Sequence, residues 1–210
     1  MTAATHASLF YESDREYAAG VGGFLREGLE RGNRGLVVAP PRRVDALHSA
    51  LGRDADEVTF VEDTVGYAPQ WNVYRVLLDF AAAAPGTRSC VVAEQDLASR
   101  VAAELVDYRR LEAAANVVFA QHDVDLLCPY DAGSLPPDLL DIALHTHEAV
   151  RVDGTLARNS HFDDPMDLLA GLSAVVPAPS AATTLDCAEL SDISAARRLV
   201  RMRGGMLGLR

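Results

Sequence analysis

Two runs, Leu36-Val37-Val38-Ala39 and Cys90-Val91-Val92-Ala93, are apolar at every position. A strand with one wet face would alternate apolar and polar residues, so these runs require burial on both faces, the condition of a parallel sheet layered between helices. The stretches around them supply the helices. Ser13 with Glu16 three residues on is a capping-box start; Tyr17, Val21, Phe24, Leu25 and Leu29 follow at helical spacing, and Gly32 is placed to end the helix. Pro40-Pro41 breaks the Leu36 strand ahead of a helix carrying Val44, Leu47 and Leu51. Further strands at 6–11, 58–61 and 124–127, and helices over about 74–83, 97–120 and 136–147, complete a β-α-β-α succession. The expected fold class is α/β, a mostly parallel sheet with helices on both faces. Asp153-Gly154 marks a hairpin turn between 150–152 and 155–157.

At 210 residues, 49% hydrophobic and 23% charged, the chain suits one core-bearing domain with an appendage. Its formal charge of −11 argues against direct nucleic-acid binding, which depends on clustered lysine and arginine. Cys90, Cys128 and Cys187 are too few, and odd in number, for a disulfide framework, and no C-x-x-C pair points to structural zinc. No basic and apolar leader opens the sequence and no apolar run reaches the length of a membrane span, so a cytoplasmic protein is expected. Neither phosphate-binding glycine motif occurs: the turns after two strands read Ala39-Pro40-Pro41-Arg42-Arg43 and Ala93-Glu94-Gln95-Asp96.

The stretch Asp125-Leu126-Leu127-Cys128-Pro129-Tyr130-Asp131 passes from an apolar strand into a proline-broken turn. That is where an open α/β sheet presents a ligand crevice, at its carboxyl edge. Glu94 follows one strand and Tyr11 closes another, so both are expected at the same edge, with Glu94 serving a metal, a ligand hydroxyl or the next turn. Glu104, Tyr108, Glu112 and Asn116 recur at four-residue steps on one helix face. Taken singly such residues usually face solvent, but Asn116 sits among Ala115, Val117, Val118 and Phe119 and would need a partner if buried. Cys128 with His6, His145 and His147 offers sulfur and imidazole to zinc or another transition metal. His145 and His147, two apart on a helix, point in different directions, which leaves His6, Cys128 and His147 as the metal candidates. A Cys128–His147 nucleophile pair oriented by Asp123 or Glu94 has no recognisable motif around it.

Taken in order, these residues resemble the MEDS domain, a sensory module named for methanogens, methylotrophs and the DcmR regulator. The likeness rests on His6 and Tyr11 around the first strand, and on Phe24-Leu25-Arg26-Glu27-Gly28-Leu29-Glu30-Arg31-Gly32, which is similar to the family's F-L-x-x-G-L-x-x-G. Glu112 to Asn116 is similar to its E-x-x-x-N and Leu127-Cys128-Pro129-Tyr130-Asp131 to its L-C-x-Y-D; Thr146-His147, Asn159 and Phe162 follow. His147-Glu148 stands where the family usually has His-Pro, Asn159-Ser160 where it often has Asn-Pro, and Leu97 replaces a common aromatic. The resemblance implies a RecA/KaiC-like fold without a Walker A loop that senses small molecules, hydrocarbon derivatives among them, for signalling partners. Asp192-Ile193-Ser194-Ala195-Ala196-Arg197-Arg198-Leu199-Val200, with Gly208-Leu209, resembles the opening helix of the histidine-kinase-like ATPase domain of actinobacterial anti-sigma factors. That domain's ATP-binding boxes are absent, so a truncated product or a sensor alone is expected, not a kinase.

The expected organisation is a MEDS-like sensory domain over 1–163, a linker over 164–183 and a fragment over 184–210 with a strand at 184–187 and a basic amphipathic helix at 193–207. A non-enzymatic pocket is expected to be lined by Tyr11, Glu94, Glu112, Asn116, Cys128, Tyr130 and His147. It would take a small-molecule ligand and signal to an output domain or a sigma-factor-pathway protein, with no direct contact to nucleic acid or membrane. A homodimer, a Cys/His-dependent hydrolase or transferase, and a ligand-free interaction module stand as alternatives.

Overall fold

The computed structural model describes residues 4–172, 185–186, 188–189 and 192–206. The chain divides into a larger unit, Met1–Ser173, and a smaller one, Ala174–Arg210. The larger unit is built on seven strands: β1 (Thr5–Tyr11), β2 (Arg34–Ala39), β3 (Val58–Glu62), β4 (Ser89–Ala93), β5 (Val124–Asp131), β6 (Ala149–Val152) and β7 (Thr155–Arg158). Its helices are α1 (Asp14–Glu30), α2 (Pro41–Leu51), the single turn α3 (Asp63–Gly66), α4 (Asn72–Ala82), α5 (Ala102–Val118), α6 (Pro137–Thr146) and α7 (Pro165–Leu172). The sheet order is β3-β2-β4-β5-β1-β6-β7, parallel throughout except for the antiparallel β6–β7 hairpin. Asp153 and Gly154 both take positive φ in that hairpin, 48° and 79°, as a two-residue turn demands.

Strand alternation sends side chains to two separate cores. Leu36, Val38, Val91, Ala93, Leu126, Cys128 and Tyr130 pack with α4, α5 and α6 on one face. Ala7, Leu9, Tyr11, Val37, Ala39, Cys90, Val92 and Leu127 pack with α1 and α2 on the other. Each fully buried Val or Leu in these layers contributes about 1.5–3 kcal/mol, so a sheet buried on both sides is the state this sequence favours. The two-sided α/β sheet expected from the apolar runs is present.

Helix α1 starts as expected, with Ser13 Oγ accepting from Glu16 N at 3.3 Å, but the Glu16 carboxylate accepts from Glu12 N at 2.8 Å, one residue further back than a capping box reaches. Gly32, at φ 78°, donates its N–H to Leu29 O and closes the helix. Gly28 faces Cys90 directly, so α1 lies against β4 where a side chain would not fit.

Three boundaries differ from the sequence reading. The helix expected from 97 begins at Ala102, because Leu97 is drawn into the core at 5% exposure and the Glu104 carboxylate turns back to accept from Val101 N at 3.0 Å. The strand expected to stop at 127 runs on through Cys128, Pro129 and Tyr130 to Asp131, paired with β1 along its whole length. Its pairing with β4 ends at Leu127, so Pro129 lies where one side of the strand needs no ladder N–H. The segment expected as linker from 164 opens with α7, which packs on α5. The stretch 175–182 lies outside the described residues, as do Thr184 and Cys187 of the expected strand. In the smaller unit, helix α8 (Asp192–Met206) occupies the expected basic amphipathic stretch, with Ile193, Val200 and Met202 exposed. Among the described residues no helix is long and apolar enough to cross a membrane.

Candidate functional site

His6 near the start of β1, Glu112 midway along α5, Cys128 in β5 and His147 just past α6 converge in the α5-side core. One ligand-type atom from each lies within 4.8 Å of the others, and all four residues are buried. The parallel register explains the meeting: His6 aligns with Leu126 and Ser8 with Cys128, so both side chains project to the same face, where Glu112 descends from α5. Glu112 Oε2 lies 3.5 Å from His6 Nε2 and 3.3 Å from His147 Nε2, and Cys128 Sγ lies 3.5 Å from His6 Nε2. The imidazole centroids are 4.0 Å apart.

Each ring is held from behind. His147 Nδ1 donates to Ala143 O at 2.9 Å, which fixes its proton on that nitrogen. Asn116 donates through Nδ2 to Thr146 O at 2.8 Å, so its Oδ1 is the atom that meets His6 Nδ1 at 3.1 Å. Asn159 bonds Leu144 O and His147 O and pins the end of α6. Among the described residues neither Glu112 Oε2 nor His147 Nε2 has a hydrogen-bond partner. Burial, with His6 alongside, pushes the His147 pKa down, and burial together with Glu112 pushes the Cys128 thiol well up. Burial alone would raise Glu112, but His147 and His6 outweigh it and hold the carboxyl well below the usual range.

Tyr11 and Glu94 lie apart from this centre, on the opposite face. In β1, His6 and Ser8 point one way and Ala7, Leu9 and Tyr11 the other; Glu94 continues the Cys90, Val92 parity of β4 and joins Tyr11. Their centre is Arg43, 2% exposed, in the first turn of α2. It donates to Tyr11 Oη at 2.7 Å and Asp131 Oδ2 at 3.0 Å, lies 3.4 Å from Glu94 Oε1, and sits 4.7 Å from the Tyr11 and Tyr17 ring centroids. Tyr11 Oη donates to Glu94 Oε1 at 2.9 Å. Little room is left at that carboxyl edge: the void beside Glu94, Gln95 and Asp131 measures about 30 Å³, enough for water and not for a larger ligand. The expected single pocket of seven residues is corrected to two clusters on opposite faces. Glu112, Asn116, Cys128 and His147 come together with His6; Tyr130 adjoins them, its ring 5.6 Å from that of His147 and its hydroxyl 2.8 Å from that of Tyr108. Of the stripe, Tyr108 and Glu112 are buried in the core and Asn116 is partly buried beside them, whereas the Glu104 side chain stays half-exposed and pairs with Arg100. His145 stays outside, paired with Asp163.

A cleft of about 280 Å³ opens beside the first cluster, lined by His6, Asn116, Phe119, Leu126, Glu148 and Phe162 among others. Sequence reading missed Arg43 and this cleft. Arg43, Leu47 and Leu51 recur at four-residue steps on the buried face of α2, a signal that would have placed the arginine inside.

Fold and site together define a mostly parallel α/β domain with a buried imidazole–carboxylate–thiol centre on one sheet face. The chain belongs to the MEDS family, described as the MEthanogen/methylotroph, DcmR Sensory domain, whose profile matches residues 5–148. No curated protein and no solved structure gives a significant match.

Proposed function

We propose that this sensory domain takes a small, largely apolar molecule with one polar end into the cleft beside His6 and Asn116. One observation carries the reading: the cleft joins an apolar wall of Ala115, Phe119, Leu126 and Phe162 to the polar edge of His6, Asn116 and Glu148, the composition of a small-ligand site. A short hydrocarbon derivative, the ligand class that the family resemblance implies, matches both parts. The same polar edge leads into the mechanism. Asn116 ties α5 to Thr146 at the end of α6, so a ligand that engages Asn116 differently in two states shifts the α6 end relative to α5. The output reading, a sigma-factor-pathway partner, is supported by the resemblance of 192–200 to an anti-sigma ATPase helix. We take the domain as non-catalytic, since the Cys128 thiol is buried and its pKa raised, the reverse of an activated nucleophile.

The test is thermal unfolding of the full chain with short alcohols, amines and chloroalkanes as probes. At least one probe raises Tm in the wild type, and Ala120→Trp, which fills the cleft from an exposed rim position, removes that rise. No shift with any probe, or a shift unchanged in Ala120→Trp, overturns the reading.

A further inference from the structure

We infer that His6, Glu112, Cys128 and His147 form a binding site for one divalent transition-metal ion, ligated through two imidazole Nε2 atoms, a thiolate and a carboxylate.

Distances come first. A tetrahedral centre with bonds of about 2.0–2.3 Å has ligand–ligand edges of about 3.3–3.8 Å. The Glu112–His147, Glu112–His6 and Cys128–His6 separations, 3.3, 3.5 and 3.5 Å, fall in that range, and the His147–Glu112 approach at 3.3 Å is not a hydrogen bond for either atom. All four donor atoms lie within 4.8 Å of one another, so they surround a common point and the wider edges need only a small side-chain adjustment to close on an ion.

Proton placement gives the second reason. Because His147 Nδ1 donates to Ala143 O and His6 Nδ1 meets Asn116 Oδ1, each ring turns its Nε2 toward the Glu112 carboxylate, with Cys128 Sγ 3.5 Å from that of His6. Among the described residues Glu112 Oε2 and His147 Nε2 are buried with no hydrogen-bond partner, a costly arrangement for polar atoms. A metal ion would engage all four groups at once. Both rings are also held through Nδ1 by oxygen acceptors, the outer-shell arrangement that orients metal-ligating histidines.

The donor set selects the ion class. Sulfur and two imidazoles disfavour magnesium and calcium, and a tetrahedral N2SO set suits zinc, with cobalt(II) as its spectroscopic substitute. On binding, Cys128 S–H breaks, the sulfur lone pair bonds the metal, and the proton leaves to solvent; no electron is transferred. The inference goes beyond the ligand reading, because it needs only the cluster and not the cleft.

Titrating the reduced full chain with cobalt(II), then displacing it with zinc(II), tests the site. One equivalent binds, giving sulfur-to-cobalt charge transfer and the strong visible bands of tetrahedral cobalt. Cys128→Ser abolishes the charge transfer, Glu112→Gln and His147→Ala weaken binding at least tenfold, and Asn116→Ala weakens it about 10–100-fold. His145→Ala, outside the cluster, leaves the titration unchanged. Circular dichroism separates lost binding from lost fold, and the near-isosteric Glu112→Gln keeps the test usable if His147→Ala unfolds. Absence of binding to the folded wild type, or a spectrum unaltered by Cys128→Ser and Glu112→Gln, overturns the inference. Ala120→Trp keeps the metal, so loss of small-molecule response in that variant and loss of metal in the others report on different proposals.

Discussion

Arg43 shows how far one side chain can decide an environment. Its guanidinium is the cation facing Tyr11, Glu94 and Asp131, and Glu94 is itself only 6% exposed. Burial raises the Glu94 pKa, and the hydrogen bond from Tyr11 and the charge of Arg43 pull against that rise without reversing it. Replacing one member of a buried ion pair strands the other, at about 3–5 kcal/mol, so Arg43→Met should lower the unfolding free energy by that amount near neutrality. The pH dependence has a definite sign. A group whose pKa is higher folded than unfolded contributes stability at low pH that is lost as pH rises through the folded value. Without Arg43 the Glu94 pKa rises further, so the deficit narrows as pH falls below that value and the carboxyl becomes neutral. Urea denaturation from acid to neutral pH checks this; a deficit independent of pH would show that Glu94 is not the stranded charge.

The elements were written into the sequence unevenly, and packing explains where. The runs of β2 and β4 were legible because strands buried on both faces need no polar alternation, and α1 was legible from its cap, its period and Gly32. The extension of β5 past Pro129 was hidden, because it depends on β4 ending at Ala93, a fact of pairing and not of local composition. The late start of α5 was hidden for a like reason: Leu97 has a core to enter only once the sheet exists. Gly28 is an element-scale constraint that the F-L-x-x-G-L-x-x-G pattern carried without its cause. Alanine in a helix interior gains up to about 1 kcal/mol over glycine, but a Cβ here meets the Cys90 side chain, and overpacking costs about 1–3 kcal/mol. Steric cost wins, so Gly28→Ala destabilises by up to about 2 kcal/mol, and adding Cys90→Ala recovers part of the loss. A double-mutant cycle in urea measures that coupling, and purely additive effects would place the close approach elsewhere.

Across the whole molecule the sheet acts as a partition. The residue types of the candidate site were legible, but their grouping was not: it follows from strand parity and from the β1–β5 register, which pairs His6 with Leu126 and Ser8 with Cys128, so that His6 and Cys128 share a face and Tyr11 goes to the other side. Alternation within a strand is readable from the sequence, but which residues of neighbouring strands share a face depends on their register, so seven positions on two faces were read as one pocket. The partition also bears on the thiols. Cys90 lies on the α1 side with its pKa pushed up to about 11 by burial, and Cys128 on the α5 side with its thiol raised by burial and by Glu112. Neither presents a thiolate or an open path to a reagent, so alkylation must wait for the fold to open. With the unfolding free energies usual for such domains, iodoacetamide should label both sites of the metal-free protein at least roughly a thousandfold more slowly than the urea-unfolded chain. Peptide-resolved mass spectrometry separates them from Cys187. Urea should accelerate both together, because the two cores share one sheet; rapid labelling of Cys128 alone in the native protein would instead mark an activated thiol and favour Cys/His-dependent catalysis over sensing.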